Sequence, residues 1–286
     1  MNNLPEQGLV HAVLAKLEGA KDPRFKQVMT SLIKHLHAFV RETELTEQEW
    51  MTGIQFLTAT GKKCDDKRQE YILLSDTLGV SMLVDAINHR KPGGATETTV
   101  LGPFYVSGAK DMPMWADIAG SAPGQPAYVS GRVLDVNGKP VAGAVLDVWQ
   151  TDGEGFYDVQ RPGGNEHYAR GRFTTGADGR YGFRTVKPVS YPVPTDGPVG
   201  KMLLGMGRHP YRPAHVHVIA TAPGHDRVAT HLFVKGDEYL DSDAVFGVKH
   251  SLVVDFEDHP AGPTPDGKKS AAPFCTAEFD FRLVRS

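Results

Sequence analysis

Cysteine is almost missing from this 286-residue chain. The two present, Cys64 and Cys275, are too few for a disulfide framework, which suits a reducing, cytoplasmic compartment. Long hydrophobic runs are missing too. No stretch reaches 18 apolar residues, so no helix is expected to span a membrane. The first residues lack a basic segment followed by an apolar one, so no secretory signal is expected. An excess of one charge is also missing. The 31 basic and 34 acidic residues leave a net charge of −3, which argues against a broad nucleic-acid surface. Hydrophobic residues at 40% and charged residues at 23% exclude disorder as the main state.

What is present points to turns and to imidazole and phenol chemistry. There are 31 glycines, 20 prolines, 12 histidines and 9 tyrosines. Residues 1–98 read as a helical, dimerisation-type domain. Phe25, Met29, Leu32, Ile33 and Leu36 recur at helical spacing. Thr46 ahead of Glu47, Glu49 and Trp50 predicts a helix start, and Gly61 its end. A further helix is expected from Asp65 through Leu73, Leu74 and Leu78 to Val84, giving four or five helices in all. Residues 99–126 form a Gly- and Pro-punctuated connector of the kind that borders a site. Residues 127–286 read as an antiparallel β-sandwich, making the chain mainly β. Two hairpins are expected there, at Asn137-Gly138 and Asp178-Gly179. No phosphate-binding glycine motif follows any strand.

The densest chemical signal is Arg212-Pro213-Ala214-His215-Val216-His217-Val218. In a strand, residues i and i+2 share a face, so His215 and His217 project side by side. Two neutral imidazoles so placed can hold one transition metal. Paired structural histidines are the plainer alternative. Neither cysteine is placed to complete a Cys/His zinc site. Carboxylates or tyrosines are the other candidate ligands. Tyr157 and Tyr191 lie where strands end, and spacing alone reads them as core or turn residues. A phenol has a pKa of about 10, so its use as a ligand calls for a hard, strongly charged cation such as ferric iron.

With these residues in view, nearly the whole chain resembles the intradiol ring-cleavage dioxygenases of the catechol 1,2-dioxygenase group, and most of all their hydroxyquinol-cleaving members. The resemblance rests on the helical first third, on Thr99-Val100-Leu101-Gly102-Pro103-Phe104-Tyr105 and on the Gly-Arg-His-Pro-Tyr-Arg-Pro-Ala-His-Val-His segment. It implies a non-haem Fe(III) held by Tyr157, Tyr191, His215 and His217. Tyr191 would leave the metal and take a proton from the arriving diol while Tyr157 stays bound. Arg212 would stabilise negative charge developing on the ring. It implies a substrate pocket of Leu78, Ser81, Val100, Pro103, Phe104, Arg212, His231, Ala244 and Val245. It also implies a homodimer through the N-terminal helices, with a phospholipid in an apolar groove between subunits.

One position departs from the catechol-cleaving pattern, which has Gln where this chain has His231. Ala244 also replaces a frequent aromatic. A smaller residue leaves room for a third ring hydroxyl, and His231 adds a donor or acceptor. The expected reaction is therefore cleavage of hydroxyquinol (benzene-1,2,4-triol) by O₂ between its two vicinal hydroxylated carbons, giving 3-hydroxy-cis,cis-muconate and hence maleylacetate. The alternatives are a catechol or chlorocatechol 1,2-dioxygenase giving cis,cis-muconates, a zinc hydrolase built on His-x-His, and a non-enzymatic binding sandwich.

Overall fold

A computed structural model describes residues 5–65, 68–161 and 168–286. Its contacts divide the chain into two compact units, Met1–Ala59 and Thr60–Ser286. The first unit is helical. Helix α1 (Glu6–Ala15) is followed by α2 (Pro23–Glu42) and by the start of α3 (Glu47–Lys62). Asp22 begins α2 by accepting the Arg24 and Phe25 amides at 2.8 and 3.2 Å, with Pro23 in the first turn. Thr46 and Glu49 form the reciprocal pair that starts α3: the Thr46 amide donates to Glu49 Oε2 at 2.9 Å and the Glu49 amide to Thr46 Oγ1 at 3.3 Å. The expected start at Thr46 is therefore present. Phe25, Leu32, Leu36 and Phe39 of α2 stay about half exposed among the described residues, an apolar face on this helix.

The second unit begins with α4 (Glu70–Thr77) and α5 (Val80–Asn88). The single helix expected from Asp65 to Val84 is thus two. Gly79 adopts φ +74°, a left-handed conformation that ends α4 and redirects the chain. The sandwich follows with β1 (Pro126–Asp135), β2 (Val145–Gln150), β3 (Arg170–Thr174), β4 (Arg180–Val186) and β5 (Tyr191–Pro192). After α6 (Pro198–Gly205) come β6 (Tyr211–Arg212), β7 (His215–Thr221), β8 (Val228–Val234) and β9 (Val253–Val254). The last strands are β10 (Glu257–His259), β11 (Gly262–Pro263), β12 (Lys269–Ser270), β13 (Phe274–Glu278) and β14 (Phe281–Leu283).

One sheet runs β10-β13-β1-β14 with β4 also on β1, and the other runs β3-β2-β7-β8-β9. Most pairings are antiparallel, but β1 pairs in parallel with β13 and β14, and β8 with β9. Neither expected hairpin forms as a paired ladder. β1 and β2 lie in different sheets, and so do β3 and β4. The Asn-Gly and Asp-Gly turns are real, with the Gly138 amide donating to Asp135 and the Gly179 amide to Gly176. Beyond each turn the chain crosses to the other layer. The core joins Val129, Phe183 and Phe281 of the first sheet to Leu146, Val216, Val218 and Leu232 of the second. Val216 and Val218 face inward, so His215 and His217 face outward from the sandwich.

Candidate active site

An outward-facing histidine on a sheet would ordinarily meet solvent. His215 and His217 are instead each 1% exposed, because the connector and two tyrosine-bearing turns roof that face. Strand register sets the row beneath the roof. Trp149 on β2 stands opposite His217 on β7, and His217 opposite His231 on β8. The Trp149 and His217 rings stack at 4.6 Å and 10°. Above His217 lies Gly102, where a Cβ would sit 3.1 Å from the imidazole Cε1; the connector needs a residue without a side chain there.

Four donors converge under this roof. The Tyr157 hydroxyl lies 2.8 Å from His217 Nε2 and 3.1 Å from the Tyr191 hydroxyl. His215 Nε2 lies 3.1 Å from His217 Nε2. His215 Nδ1 donates to the Pro213 carbonyl at 2.7 Å, which leaves the Nε2 lone pair facing the cluster. Burial, reinforced by Arg212, pushes the His215 pKa down to about 3, so this imidazole is neutral. Burial, then the neighbouring histidine and Arg212, takes His217 well below the ordinary value as well. Burial, then the charge of Tyr191, pushes the Tyr157 phenol well above its ordinary value. Neutral imidazoles and desolvated phenols about 3 Å apart are an edge-on match to a metal with bonds of about 2.0–2.1 Å. A bound cation would supply the charge that draws the proton from the phenol. The residues present therefore fit a metal.

A third imidazole completes the cluster. His215, His217 and His231 can each offer a nitrogen within 4.8 Å of the others. His231 is fully buried, its Nδ1 3.0 Å from Thr99 Oγ1. It stands beside the pair in the same row, and it is not among the residues lining the cavity described next.

Beside the donors opens a cavity of about 200 Å³. Tyr191 and Arg212 form its inner end, and Val100, Pro103 and Phe104 of the connector form one side. Leu73 and Asp76 of α4, with Val193, Pro194 and Val245, form another side, and Arg68, Glu70 and Gln160 also line it. Five residues expected in the pocket are on this wall: Val100, Pro103, Phe104, Arg212 and Val245. Leu78 is not. It follows the last residue of α4 and is 52% exposed, because the chain turns at Gly79. Ser81 is not on the wall either: its hydroxyl is 2.8 Å from Ser75 Oγ, one layer behind. Ala244 is 1% exposed and packs among Val193, Leu203 and Val245, so it supports the wall without lining it.

Two acids went unread in the sequence. Asp76 lies on the cavity wall, and burial lifts its pKa while the Ser81 hydroxyl opposes that lift. Its signal was an acid inside the apolar run Ile72-Leu73-Leu74-Ser75-Asp76-Thr77-Leu78. Asp243 grips Arg212, accepting from Nε at 3.1 Å and from Nη2 at 3.3 Å. Burial works against the Arg212 charge, but Asp243 outweighs it and the guanidinium stays ionised. Nη1 is left 3.4 Å from His215 Nε2, facing the donors.

The chain as a whole is similar to known proteins. Residues 22–96 match the family described as catechol dioxygenase N terminus, and residues 100–284 match the dioxygenase family. A hydroxyquinol 1,2-dioxygenase of Rhizobium sp. is 55% identical over 253 residues, 88% of this chain and 86% of that protein. A 6-chlorohydroxyquinol 1,2-dioxygenase of Cupriavidus pinatubonensis is 54% identical over 256 residues, 90% of this chain and 93% of that protein. The solved structure of hydroxyquinol 1,2-dioxygenase from Pseudomonas putida DLL-E4 is 53% identical with a TM-score of 0.93, covering 98% of this chain and 99% of its own.

Proposed function

The chain belongs to the intradiol ring-cleavage dioxygenases, and on that footing we propose that it cleaves hydroxyquinol with O₂ at the cavity beside Tyr191. The observation that carries this reading is the four-donor cluster of Tyr157, Tyr191, His215 and His217 opening onto a cavity with Asp76 on its wall. An apolar cavity of about 150 Å³ accepts benzene, so one of about 200 Å³ suits a single hydroxylated ring. The donor set of two phenolates and two imidazoles suits Fe(III), which when bound makes the diol more acidic and primes the ring for O₂.

The protein residues then divide the work. Tyr191 is on the cavity wall, so its phenol oxygen can hold the proton released by the arriving diol. Tyr157 is 0% exposed and stays among the donors. Arg212, fixed by Asp243, presents Nη1 to negative charge on the ring. Val100, Pro103 and Val245 keep the ring's face out of water. Asp76 accepts the hydroxyl that catechol lacks. A buried acceptor left without that partner disfavours the smaller diol. His231 acts through Thr99 and the histidine pair rather than by touching the ring.

We further propose that the exposed apolar face of α2 pairs two copies of the chain and borders a groove that takes a phospholipid. The exposed Phe25, Leu32, Leu36 and Phe39 support this. Among the described residues no helix is long and apolar enough to cross a membrane. With two free cysteines, the protein is read as cytoplasmic.

The deciding measurement is oxygen uptake on hydroxyquinol, catechol and chlorocatechols, with iron content and the visible phenolate-to-iron band recorded alongside. A higher kcat/KM for hydroxyquinol is expected. A preference for catechol would reject the substrate, and a colourless, iron-free protein would reject the reaction.

A further inference from the structure

Two parts of the cavity wall come from separate segments. Leu73 and Asp76 belong to α4, whereas Val245 belongs to the turn 243–247. Leu73 packs on the cluster that holds Ala244 and Val245, and Arg208 adds a polar link between the same two segments. Its Nη1 donates to the Thr77 carbonyl at 2.6 Å, and its Nη2 to the Ala244 carbonyl at 3.0 Å. Thr77 follows Asp76 directly, and Ala244 precedes Val245. One guanidinium therefore bonds the backbone next door to a wall residue on either side.

The chemistry of both ends favours this link. The last carbonyls of a helix lack internal partners and carry partial negative charge, so a cation at Thr77 satisfies one and complements the dipole of α4. At the other end, Phe246 holds a left-handed φ of +58°, unusual for an aromatic residue. The Arg208 guanidinium lies over that ring, 4.6 Å from its centroid. The same ring lies about 3.5 Å from where a Cβ on Gly79 would sit, so it also abuts the break between α4 and α5. Arg208 itself starts from a fixed point, since its amide returns to the Leu203 carbonyl of α6 at 3.2 Å. On the far side of the turn, Asp243 accepts the amides of Val245 and Gly247 at 3.2 and 2.9 Å while gripping Arg212. The turn is thus held between two arginines. Arg212 faces the reacting ring, and Arg208 faces away from it.

We infer that Arg208 is a specificity-determining positioning residue, which sets the distance between Asp76 and Val245 and so decides whether a third ring hydroxyl is recognised. The inference rests on reading this cavity as the substrate cavity. Arg208 makes no contact with the four metal donors, which sit on β5, β7 and the turn before Asp158. Its loss should therefore alter selectivity and leave the iron environment intact. A plain stability role would instead weaken all substrates alike.

Anaerobic titration of the iron-loaded protein with hydroxyquinol and with catechol separates ring binding from turnover. The probes are Arg208→Met, which keeps bulk but loses both hydrogen bonds, and Arg208→Lys, which keeps the charge and can span only one carbonyl. Arg208→Met should lower the hydroxyquinol-over-catechol ratio of affinities, and of kcat/KM, on the order of tenfold. Arg208→Lys should fall between it and the unmodified protein, with the visible band unchanged in both. If Arg208→Met does not fold, the Lys variant alone decides by the same ratio. An unchanged ratio, or equal loss on both diols, overturns the inference. If the unmodified protein binds neither diol, the cavity reading fails, and this inference with it.

Discussion

The two tyrosines of the centre are held in opposite ways. Tyr157 is locked from every side. Its amide donates to Gln160 Oε1 at 2.9 Å, and its ring stacks on Phe104 at 4.3 Å. The residue after it, Asp158, is paired inside the protein with Arg170, whose guanidinium also reaches the Phe104 carbonyl. Asp152 gathers the approaching turn by accepting the Glu154 and Phe156 amides. Tyr191 has a thinner hold. It lies on a two-residue strand paired with Tyr211–Arg212, and one side of it faces the cavity. A rigid donor and a donor with room beside it suit the two jobs proposed for them. In that proposal one would keep the metal in place, and the other would take a proton as substrate enters.

The largest expected effect comes from removing the rigid donor. Tyr157→Phe should lose iron and colour together, with activity down at least about 10³-fold; a coloured, active variant refutes its role. Tyr191→Phe should slow kcat by roughly 10²–10⁴-fold while keeping more iron than Tyr157→Phe. Equal iron loss in the two variants, measured by metal analysis, would erase the contrast. Asp158→Asn attacks the lock itself. It leaves the Arg170 charge buried without its partner, which should cost about 3–5 kcal/mol in urea unfolding. A loss under 1 kcal/mol would show that this pair holds nothing. The smallest effect is expected of Phe104→Leu, which removes the stack on Tyr157 at about 0.5–1.5 kcal/mol. Its iron should also dissociate faster under a chelator; an unchanged rate would mean the ring stack does not restrain Tyr157.

The parts legible in the sequence were those with a short-range code. His-x-His in an apolar strand announces two imidazoles on one face, and β7 places them so. The strand and helix content followed from periodicity and from cap residues such as Thr46. Layer assignment did not follow, since Asn137-Gly138 specifies a reversal but not which sheet receives the next strand. Nor did the wall of the cavity: Leu73 and Asp76 face it, and Leu78 does not, because one left-handed glycine redirects the chain at residue 79. Asp243 and Arg208 lay beyond sequence reasoning because their partners are 31 to 131 residues away.

The pairing of β1 has a consequence for how the chain is made. This first strand of the sandwich bonds to β4, and its remaining edge is filled by β13 and β14. During synthesis that edge stays open until residues 274–283 are made, whereas every strand of the histidine sheet precedes residue 255. The layer bearing the histidine pair can thus assemble before the other, whose first strand waits for β13 and β14. Such a nascent protein has an exposed strand edge for much of its translation, a state that invites mispairing and chaperone attention.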